Sequence, residues 1–146
     1  MKVASAIGRM VFGGFFLYNG INHLRQRKTM AQYVEAKGVP QPELAVTLSA
    51  VPLLIGGSSL ILGVKPKLGA MAIVGFLAGV TPVMHDFWTN EDPNERQANM
   101  IHFMKNLALA AGALALMDAD ESRTRLQLMQ PTLADQIRLI GRRIAA

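Results

Sequence analysis

A chain of 146 residues is one domain's worth, and without a cysteine it can make no disulfide, thiolate metal site or thiol-exchange centre. Its net charge of +5 comes with no nucleic-acid motif, so the surplus is read as attraction to a membrane surface. Most of its 13 glycines lie inside apolar blocks, where each would weaken a soluble helix by about 1 kcal/mol but would let membrane helices approach closely.

Apolar residues gather in four blocks, residues 3–24, 44–64, 68–84 and 101–117. Each is close to the ~20 helical residues that cross a bilayer's hydrocarbon core. A soluble bundle helix would carry a polar stripe, yet the second block has only Thr47, Ser49, Ser58 and Ser59. The expected fold is an all-α membrane protein, an antiparallel bundle of four transmembrane helices. Met1-Lys2 and the apolar run behind it look superficially like a signal peptide. Arg9 interrupts that run and no small-x-small cleavage site follows, so a retained first span is expected.

In the first span, residues 3–24, Arg9, Gly13, Phe16, Gly20 and His23 recur at steps of four and three and share one helical face. In the next loop, Thr29-Met30-Ala31-Gln32 fits a capping box and Gly38 a stop signal. Met30, Tyr33, Val34 and Lys37 fall on one side of that segment, which predicts a short interfacial helix. Pro40 and Pro42 enforce an extended entry into the second span, residues 44–64. There Pro52, Gly56, Ser59 and Gly63 share a small-residue packing face, with a kink at Pro52. Lys65-Pro66-Lys67 marks a tight turn, making spans two and three antiparallel neighbours.

The third span, residues 68–88, sets Gly75, Gly79, Pro82 and Asp86 on one face, which turns Asp86 toward protein, and ends on Trp88 as an interfacial anchor. Asp92-Pro93-Asn94-Glu95 reads as an N-cap, a first-turn proline and a reciprocal acid. The fourth span thus covers residues 93–117, with His102, Lys105, Asn106, Leu109 and Ala113 on one broad face, and the acidic residues 118–121 close it. Residues 1–117 form the membrane domain and residues 118–146 a tail. In that tail, residues 132–144 set Leu133, Ile137, Ile140 and Ile144 against Arg138 and Arg142, a basic amphipathic helix suited to a membrane surface.

Four spans bring both termini to one side, which collects Lys2, Lys65, Lys67, Arg123, Arg125, Arg138, Arg142 and Arg143. The other side holds Arg25, Arg27, Lys28, Lys37 and Arg96. The positive-inside rule then places both termini in the cytoplasm.

The same topology brings His23, His85 with Asp86, and His102 with Lys105 and Asn106 to one depth near the outer helix ends. Arg9 lies in the inner half, about 21 Å from His23 at ~1.5 Å per helical residue, where it could reach lipid headgroups or protein carbonyls. An ionisable group at the membrane centre costs roughly 2.5–3.5 kcal/mol even on the lenient scale, so function is the default hypothesis for such a cluster. Helix-end capping is the plainer account of His85 and Asp86, interface solvation that of His23 and His102, and an internal Lys105–Asp86 ion pair that of Lys105.

In order along the chain, Gly8-Arg9, Gly13, Phe16-Leu17, Gly20, His23-Leu24, Met30, Tyr33 and Ala36-Lys37-Gly38-Val39-Pro40 resemble the DoxX family. So do Gly56-Gly57, His85-Asp86-Phe87-Trp88, Asp92-Pro93, Arg96-Gln97 and the run from Phe103 to Leu109. The resemblance covers residues 4–117. It implies a four-span bacterial inner-membrane protein, in a family associated with quinol oxidation, thiosulfate:quinone oxidoreduction and membrane oxidoreductase complexes. It implies no agreed set of catalytic residues.

Three functions are open to such a chain. In a quinone-linked redox subunit, His85 with Asp86 would supply a base and its hydrogen-bond partner. His23 or Lys105 would hold the other ring oxygen, and Trp88, His102 and Asn106 would complete the binding site. The electron acceptor would be a membrane-associated oxidoreductase or a bound cofactor. No spacing signature marks a metal or haem site. A non-catalytic scaffold would instead recruit partner enzymes through its outer loops and basic tail. A small-molecule or lipid carrier would use the kinks at Pro52 and Pro82, although no internal repeat is present. Substrate, partner and oligomeric state are not written in the sequence.

Overall fold

The structure, a computed structural model, describes the backbone of residues 2–129 and the side chains of residues 3–117. Five helices follow one another: α1 (Lys2–Arg25), α2 (Arg27–Ala36), α3 (Pro42–Leu62), α4 (Pro66–Met84) and α5 (Pro93–Met129). No strand occurs among the described residues.

Proline opens three of the helices, at Pro42, Pro66 and Pro93, where its missing N–H would have had no helical partner and its fixed φ is already helical. Glycine closes α3, with Gly63 at φ 69, and Gly38 at φ 72 follows α2 and returns its N–H to the Glu35 carbonyl at 2.8 Å.

Three expected boundaries move. First, α2 begins at Arg27, and its N-cap is Gln26 with no side-chain cap bond. Gln26 donates its amide to Asn22 on α1 at 2.8 Å, so Thr29 and Gln32 form no capping box. Second, α4 stops at Met84 rather than continuing to Trp88. Pro82 lacks the N–H for its own helical bond. His85 then caps the helix through its N–H to the Thr81 carbonyl, and Thr89 turns back onto Asp86. Third, α5 runs through the acidic residues 118–121 to Met129. No glycine or proline lies between Gly112 and Pro131, and acids alone do not break a helix. The expected amphipathic helix at 132–144 lies outside the described residues.

The helices form an antiparallel row. α1 packs on α3, α3 on α4 and α4 on α5, while α2 lies across α3. Where α1, α3 and α4 meet, backbones nearly touch. A Cβ on Gly57 would stand 2.6 Å from the Leu17 backbone nitrogen, and one on Gly56 2.8 Å from the Gly69 carbonyl. Phe16, Leu53, Leu60, Ile73 and Leu77 fill the buried core beside them. The outer surface is apolar as well, with Val11, Leu48, Ile55, Leu68, Met71 and Leu107 all exposed. In a soluble protein such a surface would be a liability; in lipid it is the natural exterior. α3, α4 and the Pro93–Met117 part of α5 are long and apolar enough to cross a membrane.

Gly75 and Gly79 overturn a packing expectation. Neither has any atom within 4 Å of the place where a Cβ would sit. Their face of α4 receives no helix and opens into a cavity instead.

Candidate functional site

The cavity has a volume of about 860 Å³ and takes its walls from every helix. It is predominantly apolar, with Phe15, Val46, Gly75, Phe76, Gly79 and Leu109 among its walls. α1 and α5 both line it, yet they approach closely lower down, where a Cβ on Gly112 would stand 3.3 Å from the Phe12 ring. α2 contributes Met30, Tyr33 and Val34, so the amphipathic face legible in the sequence is the one that lines the cavity.

Polar groups enter from two sides. On the α1–α3 side, His23 Nδ1 lies 2.8 Å from Ser49 Oγ, and Ser49 Oγ donates to the Val46 carbonyl at 2.7 Å. A hydroxyl has one hydrogen. When that hydrogen is on Val46, Ser49 accepts from His23 Nδ1–H and Nε2 is left as the acceptor. The ring rests edge-on against Phe76, 5.9 Å between centroids.

On the α4–α5 side, His85 Nδ1 lies 3.3 Å from Asn99 Oδ1, while Asn99 donates to Asn90 at 3.0 Å. An amide oxygen only accepts, so His85 also carries its proton on Nδ1 and leaves Nε2 bare. His85 stacks on His102 with 5.1 Å between ring centroids and 24° between planes. Burial lowers the pKa of His85 below the ordinary histidine value, with His102, Lys105 and Lys37 adding to the effect and the Asn99 bond opposing it. It is neutral at pH 7. Lys105 donates to His102 Nδ1 at 3.2 Å, and Asn106 Nδ2 donates to Thr81 Oγ1 at 3.2 Å. Both Lys105 and Asn106 line the cavity with further N–H groups to offer.

Of the residues singled out in the sequence, His23, His85, Lys105 and Asn106 reach the cavity. His102 stands behind His85 as its stacking partner. Trp88 is outside, 54% exposed and edge-on to Phe87 and Phe103. Arg9 is at the far end of α1, beside Gly63. Asp86 does not reach the cavity or His85. Its carboxylate pairs with Lys37 at the end of α2 and accepts from Thr89, and these bonds hold its pKa below the ordinary carboxylate range. The Lys105–Asp86 pair therefore does not form. Among the described residues no group of three His, Cys, Asp or Glu side chains is placed to hold a metal ion.

Sequence reasoning missed Ser49, Thr81 and Asn99, which orient the groups that line the cavity. Ser49 had a signal, as one of four polar residues in its span, but nothing marked its partner. Lys37 was read as a position on an amphipathic face, an outer cation and part of the family pattern, but not as the partner of Asp86.

A row of apolar helices with an apolar exterior and a partly polar cavity between them defines a helical membrane protein. Within that class, the DoxX family model matches residues 4–86, and the chain belongs to the DoxX family. The match ends where α4 gives way to the loop, so α5, with Lys105 and Asn106, lies beyond it. No curated protein and no solved structure matches the chain.

Proposed function

We propose that the cavity binds a quinone or quinol within the membrane and presents it to a partner oxidoreductase. The observation that carries this reading is the complementary chemistry of the two sides: bare imidazole acceptors at His23 and His85, and N–H donors at Lys105 and Asn106. A quinol has two hydroxyls whose protons must leave as two electrons depart, and neutral imidazoles are suited to accept them. A quinone has two carbonyl oxygens that need donors. The apolar walls suit the rest of such a molecule. In this reading His23 and His85 take protons, Lys105 and Asn106 hold a ring oxygen, and the partner takes the electrons. Asp86, which the sequence offered as the partner of His85, acts with Lys37 to tie α2 over the cavity.

The chain is read as a four-span protein of the bacterial inner membrane. α1 supplies the fourth span because it packs antiparallel along α3 from the level of Arg9 and Gly63 to that of His23 and Ser49. Both termini then face the cytoplasm by the distribution of cations.

The test is purification in mild detergent followed by quinone analysis of the extracted lipid and a visible spectrum. Quinone is expected to co-purify and to fall several-fold in His23→Ala and His85→Ala proteins that remain folded. A protein that carries no quinone, or folded variants that keep it, would return the chain to the scaffold reading.

A further inference from the structure

Toward the other end of the bundle, Arg9 has no hydrogen-bond partner among the described residues. Arg9 is only partly exposed, and its Nε is fully buried without a hydrogen-bond partner. Its guanidinium lies against Gly63, where a Cβ would come within 3.6–3.9 Å of its terminal atoms. The sequence left Arg9 two outlets, lipid headgroups or protein carbonyls. The structure closes the second, since Arg9 makes no hydrogen bond to the end of α3. The carbonyls of Val64 and Lys65 are instead engaged by the Ser59 hydroxyl at 2.6 and 3.0 Å.

No counter-ion is at hand among the described side chains. Glu35, Glu43, Asp86, Glu91, Asp92 and Glu95 all belong to the opposite end. The α3–α4 turn adds a further cation, Lys65, whose left-handed backbone (φ 48) places it at the exposed start of α4. Gly63 and Lys65 are also where two apolar helices end, the depth at which a bilayer's phosphates begin.

From this we infer that Arg9 and the α3–α4 turn bind the phosphate of an anionic phospholipid. The planar guanidinium fork, whose terminal nitrogens lie beside the exposed Gly63, matches phosphate oxygens and can hold them by charge-assisted bonds. Gly63 gives the fork room to lie flat against the helix end. The site lies about 9 Å along α1 from Phe15, a wall of the cavity, and does not rest on the quinone reading.

The full chain in detergent micelles doped with either phosphatidylglycerol or phosphatidylcholine, followed by native mass spectrometry, tests the inference. The wild type is expected to retain phosphatidylglycerol preferentially. Arg9→Gln should lower that retention about tenfold, the scale of a lost charge-assisted bond, and Arg9→Lys should recover part of it. Lys65→Gln should weaken retention less, and co-purifying quinone should be unchanged throughout. Equal retention of the two lipids, or an Arg9→Gln protein that binds as the wild type does, overturns the inference. So does displacement of the lipid by millimolar inorganic phosphate, which would make the site one for free anions. If Arg9→Gln does not fold, the comparison of Arg9→Lys with Lys65→Gln decides.

Discussion

Gly56 and Gly57 of α3 and Gly75 and Gly79 of α4 have opposite surroundings in the fold. Gly56 and Gly57 face backbone on both sides, from Gly69 on α4 and from Gly13 and Leu17 on α1. Gly75 and Gly79, one turn apart on α4, face empty space. In the first region the missing side chain lets helices touch. In the second it keeps them from filling the gap, and the gap is the cavity. Small residues in a membrane helix therefore mark a surface where bulk is excluded, and only the neighbouring helix decides whether the space is closed or left open.

That contrast can be broken experimentally, and the largest effect belongs to the closed side. Gly57→Ala puts a methyl 2.6 Å from the Leu17 backbone nitrogen, which cannot rotate away, and should cost about 2 kcal/mol or more in overpacking. A thermal melt in detergent that matches the wild type would show that the seam is looser than described. Gly79→Leu is next. It should intrude on the cavity, leave the melting temperature within a few degrees of the wild type, and lower co-purifying quinone. A large drop in stability would mean that α4 packs there after all.

The rim of the open side gives smaller effects. Lys37 and Asp86 are 27% and 22% exposed, so solvent screens their pair and breaking it with Asp86→Asn should change the melting temperature little. Its clearer signature is faster proteolysis or hydrogen exchange in α2, and unchanged exchange there would sink the role of the pair as a tie. Because the folded pKa of Asp86 lies below its unfolded value, this contribution is present above the ordinary carboxylate pKa and is lost as pH falls through the lowered one. His85 should give the smallest effect. Its lowered pKa means that the unfolded chain takes up the proton first as pH falls below 6.5, so stability declines from there toward the folded pKa. An NMR titration showing His85 protonated above pH 6.5 would contradict the burial described.

Much of this architecture was legible because bilayer thickness sets a length that apolar runs must match. The four blocks, the proline starts and the amphipathic face of α2 all follow from local pattern. The end of α4 did not, because helical periodicity carried Asp86 onward along a face that Pro82 and the turn at His85 had already ended. The site was legible by depth but not by partner. His23, His85, Lys105 and Asn106 were found because ionisable and amide groups are scarce in spans. Their distant or looped-back partners, Ser49, Asn99 and Thr81, are common polar residues at ordinary positions. The Lys37–Asp86 pair joins residues 49 positions apart, and no periodicity reaches that far.

The length of α5 has a consequence of its own. Its apolar part ends at Met117, yet the helix continues without interruption to Met129, about 18 Å further at ~1.5 Å per residue. A helix that long is a mast. It fixes the direction in which the chain leaves the bundle. A molecule approaching along that direction would meet the helix before it met the bundle.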